Sequence, residues 1–129
     1  MRQWTALWVI GIAASLTAIS GCAVVAVGAA AAGTVAYVEG DLQVEEPHPF
    51  EKVYAATKKS LKDLTMMTVK DTKDTTRAEI QARDVEDKKA TITLSPRNEG
   101  ITKISIRIGF WGDEVRARRI YHKIHENLQ

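Results

Sequence analysis

Acids and bases are plentiful in this 129-residue chain, but few of them are spaced so as to do chemistry together. Its only thiol is Cys22, and a thiol serves as nucleophile, metal ligand or lipid acceptor according to its surroundings. His122, His125 and Glu126 form the one cluster of metal-ligand types. Imidazoles near a helix C-terminus are also simply favourable with its dipole, and a metal site needs three or four converging ligands, so no metal is expected. Asp84, Glu86 and Asp87 are near enough in sequence for acid–base pairing, yet they fall in a turn, where charged groups are ordinarily solvated. The chain has no glycine-rich phosphate loop and no Gly-x-Ser-x-Gly elbow. These residues therefore assign no catalytic group and no cofactor. A set of cations remains: Lys70, Arg83, Lys103 and Arg107 occupy the outward positions of strand-like runs, with Arg77 beside them and Glu79 as the main acid. Such a face suits an anionic surface, and it is equally the usual solvated side of a sheet.

The surroundings of Cys22 favour lipid. Arg2 is the last charge before Glu39, Trp4 to about Ala18 is apolar, and Ile19-Ser20-Gly21 places an aliphatic and two small residues just ahead of the thiol. This is the layout of a secretory signal, and its end resembles the lipobox of bacterial lipoproteins. That resemblance implies a signal peptide over residues 1–21, a diacylglycerol on the Cys22 sulfur and an N-acyl chain (palmitate or similar) on its amine. One acyl chain binds a bilayer marginally, whereas two or more bind durably. Ala23, in place of the Asp that favours inner-membrane retention in enteric lipoproteins, implies an outer-membrane address facing the periplasm. The competing reading of the same apolar run is a membrane-spanning helix.

Residues 22–36 are rich in Ala, Gly and Val. They read as a spacer, or as a helix whose small residues Gly28, Ala32 and Ala36 fall four apart. The remainder, residues 37–129, suffices for one domain. Net charge is +2, too little and too scattered for a nucleic-acid binder.

The elements that would position these groups follow from hydrophobic period. Val38, Leu42 and Val44 share a parity opposite to Glu39, Asp41 and Glu45, which predicts one half-buried strand over Tyr37–Glu45. After Pro47 and Pro49 the period changes: Phe50, Val53, Tyr54, Thr57, Leu61 and Leu64 form one stripe of a helix. Four alternating runs come next, centred on Met67/Val69, Ile80, Ile92 and Ile106, with turns at 71–75, 86–89 and 96–100. Phe110 has the inward parity of the last run, and Trp111 either covers the junction with the final helix or stays exposed. Asp113 is placed to cap that helix, whose stripe is Ala117, Ile120, Tyr121, Ile124 and Leu128; Val115 lies off it.

Two amphipathic helices and a sheet with one apolar side close most simply as an α+β two-layer sandwich: an antiparallel meander of four to five strands with both helices on one face. The segments Tyr37–Leu42, Phe50–Leu64 and Ile104–Glu114, the last carrying Ile-Gly-Phe-Trp-Gly-Asp-Glu, resemble a family of small bacterial lipoproteins known as a domain of unknown function. That family implies this fold and a membrane address, and it carries no activity. The expected function is a non-enzymatic binding or scaffolding module tethered to the cell envelope, its partners the membrane and an anionic envelope component or a protein, and not nucleic acid. The alternative is an envelope enzyme, or enzyme subunit, with an unrecognised site.

Overall fold

The structure, a computed structural model, describes residues 35–98 and 100–129. Cys22, the signal segment and residues 22–34 lie outside the described residues. From Val35 onward the chain forms one antiparallel sheet of six strands, with two helices packed on one side. The strands are β1 (Val35–Val38), β2 (Asp41–Glu46), β3 (Met67–Lys73), β4 (Ala78–Arg83), β5 (Lys89–Asn98) and β6 (Ile101–Ile108); the helices are α1 (Phe50–Asp63) and α2 (Glu114–Leu128). Spatial order is β1-β2-β6-β5-β4-β3. The last four strands make the expected meander, and β2 joins it beside β6 after the chain crosses through α1.

Six strands replace the expected four to five because Tyr37–Glu45 is not one strand. Glu39 (φ 51°) and Gly40 (φ 89°) form a two-residue turn between Val38 and Asp41, and consecutive positive φ values are what a tight hairpin needs to match strand twist. The turn inverts the parity: Tyr37 pairs with Leu42 and packs on the core, while Val38 faces outward. Three more expectations change. β3 runs through Lys73, into the expected turn at 71–75, and a register shift between Thr68 and Lys70 leaves Met67 opposite Arg83 on the polar side, so neither Met67 nor Val69 is buried. β5 continues through Pro96, opposite Thr102, with an irregularity before Asn98, the kind of position where a strand tolerates proline. Phe110 lies beyond β6 and is exposed with Trp111.

The core follows the expected stripes. Ile80, Ile92, Ile104 and Ile106 from the sheet meet Val53 and Leu61 of α1 and Ile120 and Ile124 of α2, and all are essentially inaccessible to water. Thr57 and Ser60, also buried on α1, donate to the carbonyls of Val53 (2.8 Å) and Ala56 (2.7 Å), which satisfies their hydroxyls without a partner from another element. Asp113 caps α2 by accepting from the Arg116 amide at 3.1 Å. Val115 is exposed, as its place off the stripe requires. Among the described residues no helix is long and apolar enough to cross a membrane.

Candidate functional site

The outward sheet face carries the four candidate cations, but acids are interleaved with most of them. Lys70 stands 3.3 Å from Glu79, Arg83 is 3.0 Å from Asp87, and Arg107 is 2.9 Å from Asp41. The register explains the pairings: Lys70 lies opposite Gln81, next to Glu79 along β4, and Arg107 lies directly opposite Asp41. Lys103 lines a shallow depression with Glu45 and Arg97, which themselves pair at 3.6 Å. The face is thus a lattice of alternating charge, because β2 contributes Asp41 and Glu45 alongside β6. Glu79 is held below its usual range by hydrogen bonds from Gln81 and then Lys70.

Arg107 also has a local task. Besides Asp41, its guanidinium donates to the Glu39 carbonyl (3.2 Å) and the Phe110 carbonyl (3.1 Å). It thereby fastens the β1–β2 turn to the segment between β6 and α2. Arg116 plays the matching part across the same end of the sheet, pairing with Asp84, Glu86 and Asp113. Asp84 in turn organises the β4–β5 connection, accepting from the amides of Glu86 (2.8 Å) and Lys88 (2.9 Å). The Lys88 amide first, then the Glu86 amide and Arg116, holds the Asp84 carboxyl below its ordinary value despite partial desolvation. The turn carboxylates Asp84 and Glu86 are therefore structural clamps on α2, not freely solvated groups. A cleft of about 270 Å³ lies behind them, lined by Leu64, Val85, Lys88, Arg116 and Arg119 among others.

A second cluster was not visible as such in the sequence. Glu46 continues the inward parity of Leu42 and Val44, so the end of β2 delivers a carboxyl into the core, where it is buried. Tyr121 of α2 donates its hydroxyl to Oε1, His125 Nδ1 lies 3.1 Å from the same oxygen, and His48 Nδ1 lies 3.4 Å from Oε2. The buried Thr102 hydroxyl donates to the His48 carbonyl at 2.8 Å and fixes the segment after β2. Burial above all, then the bond to Glu46, raises the pKa of Tyr121 well beyond the ordinary phenol value. His125 consequently belongs with Glu46 and Tyr121 in place of the sequence neighbours His122 and Glu126. Glu126 pairs instead with Lys123 at 3.0 Å. No group of three or more His, Cys, Asp or Glu among the described residues is placed to hold a metal ion. The one signal of the cluster in the sequence is a glutamate, Glu46, at an inward strand position.

Fold and sites together define a small α+β sandwich with an ion-paired sheet face and a tyrosine–histidine–carboxyl cluster at the edge of its core, a class set by architecture and not by a reaction. Residues 5–127 match the family described as "Protein of unknown function (DUF3568)", and the chain belongs to that family, as the resemblance to a domain-of-unknown-function family implies. No curated protein matches the chain.

Proposed function

We propose that this protein is a bacterial lipoprotein of the cell envelope, in which Cys22 carries diacylglycerol and an N-acyl chain and the domain from Val35 acts as a non-enzymatic binding or scaffolding module. The observation that carries this reading is Ile19-Ser20-Gly21-Cys22 at the end of an apolar run that begins with Arg2. Two further features agree with a binding role. The helix–sheet interface is filled by large aliphatic side chains, and the opposite face carries paired charges along several strands, groups that suit a polar contact surface. Ala23 assigns the anchor to the outer membrane, facing the periplasm.

Metabolic labelling with palmitate, followed by intact mass, tests the anchor. The expected result is a chain beginning at Cys22 that carries three acyl chains, and an unlabelled, uncut Cys22→Ser variant. Label retained by that variant would overturn the reading. The sheet face is tested separately by vesicle binding at two salt concentrations, since screening shortens from about 10 Å at 0.1 M to about 3 Å at 1 M. If Lys70, Arg83, Lys103 and Arg107 contact an anionic surface, binding weakens with salt and falls further in Lys70→Gln/Lys103→Gln.

A further inference from the structure

Six of the eight large apolar side chains exposed among the described residues stand at one end of the sheet: Val38, Met67, Val85, Phe110, Trp111 and Val115, with Val35 and Val69 the exceptions. The pairing register places them together. Val38 flanks the β1–β2 turn, whose Asp41 lies opposite Arg107 near the end of β6; Ala90 lies opposite Ile108; Arg83 lies opposite both Lys89 and Met67. Phe110 and Trp111 follow β6, Val85 sits in the β4–β5 connection, and Val115 opens α2. Six strands at about 4.8 Å spacing make this row roughly 24 Å wide.

The row is held in place. Phe110 (78% exposed) and Trp111 (86% exposed) pack edge to face with centroids 5.0 Å apart. Arg107 grips the Phe110 carbonyl, and the Gly109 amide donates to the Lys89 carbonyl at 2.8 Å. Gly112 passes so close to Gly40 that an added Cβ would lie 2.5 Å from the Gly40 carbonyl oxygen. An aromatic pair fixed in water by two clamps and a glycine contact, and not turned inward, is built to meet something.

We infer that this end of the domain docks on the bilayer interface of the membrane to which the chain is anchored, with Phe110, Trp111 and Val85 entering the boundary between headgroups and acyl chains. Three observations favour a bilayer as occupant. Tryptophan with neighbouring aromatic and aliphatic side chains is what that boundary selects, because an indole is apolar in body and polar at one edge. The charges around the row nearly cancel: Arg83, Arg107 and Arg118 match Asp87, Asp41 and Glu114, while Lys88, Lys89 and Arg119 offset Glu39 and the surplus acids on Arg116. A balanced rim suits a layer of zwitterionic headgroups. The tether also permits the pose: residues 23–34 reach at most roughly 40 Å when extended, whereas β1, running from Val35 toward this end, is four residues long. The lipid-anchor reading decides which membrane is met; the contact itself is read on a different residue.

Trp4 and Trp8 replaced by Phe leave Trp111 the sole tryptophan. The full chain so altered is reconstituted from detergent into phosphatidylethanolamine–phosphatidylcholine vesicles whose acyl chains carry bromine. The expected result is blue-shifted Trp111 emission that bromolipid quenches, that acrylamide reaches poorly, and that high salt leaves unchanged. Phe110→Ser with Val85→Ser should abolish most of the bromolipid quenching with far-UV circular dichroism unaltered, while Lys70→Gln/Lys103→Gln should leave it intact. Emission that acrylamide quenches freely and bromolipid does not would overturn the inference. Shielding seen only in native membranes, and not in pure lipid, would overturn it in favour of a protein partner. Palmitate labelling and intact mass of the same preparation report the tether independently of Trp111 emission, so failure of the tether and failure of the docking surface are told apart.

Discussion

At the scale of single residues, Glu46 shows how a polar group is tolerated in an apolar layer. A buried carboxyl left without partners costs several kcal/mol, and here both oxygens are engaged, by Tyr121, His125 and His48. Tyr121→Phe should lower stability by about 1–3 kcal/mol, because Glu46 stays buried and loses a hydroxyl donor; urea midpoints at neutral pH measure this. Since burial raises the Tyr121 pKa, the stability it contributes is complete below the ordinary tyrosine value, about pH 10, and is lost as pH rises toward the folded-state value. The gap between wild type and Tyr121→Phe should therefore narrow above about pH 10, and a gap that widened would refute the assignment. Of this cluster Tyr121 was legible beforehand as part of a helical stripe, and His125 only as a member of a different group with its sequence neighbours His122 and Glu126. Pairing partners 75 and 79 residues apart in sequence leave no local signature.

At the scale of elements, the connections decide more than the strands do. Gly112 (φ 85°) and Gly100 (φ 81°) share a left-handed backbone, but a Cβ on Gly100 meets nothing within 4 Å while one on Gly112 collides with Gly40 and Tyr37. Gly100→Ala should cost about 1–2 kcal/mol, from conformation alone. Gly112→Ala should cost distinctly more and displace the Phe110–Trp111 pair, which denaturant melts and Trp111 emission will report. In the β4–β5 connection, the depressed Asp84 pKa means that its contribution is complete above the ordinary aspartate value of about 3.9 and is lost as pH falls below it. Asp84→Asn should accordingly lower stability at pH 7 and flatten the loss on acidification. Parallel acid titrations of unfolding, with Arg116→Gln as a second variant, test this. The turn at Glu39–Gly40 was hidden because Val38, which the turn faces outward, is apolar and carries the alternation of Leu42 and Val44 unbroken across it.

At the scale of the whole described domain, burial separates positions that look alike in sequence. Ile106→Ala should cost about 2–5 kcal/mol through lost transfer energy and the cavity left behind, whereas Met67→Ala, at a position that period alone marks as inward, should cost less than about 0.5 kcal/mol because Met67 is exposed. Comparable losses in denaturant melts would mean that the β3 register is misplaced. The sequence by itself determined the α+β class, the two helical stripes, the meander and the Asp113 cap, since each is a local pattern: a period of 3.6 or 2, a short connector, a side chain within reach of the next amides. Tertiary structure alone decided the sixth strand, the shifted register of β3, the pairing of Arg83 and Arg107 with acids, the burial of Glu46 beside Tyr121, and the row of apolar side chains around Trp111. Those depend on which strand lies next to which and on where the turns fall. Neighbours across a sheet are set by long-range pairing, and the one-dimensional pattern of a strand is the same whatever lies beside it.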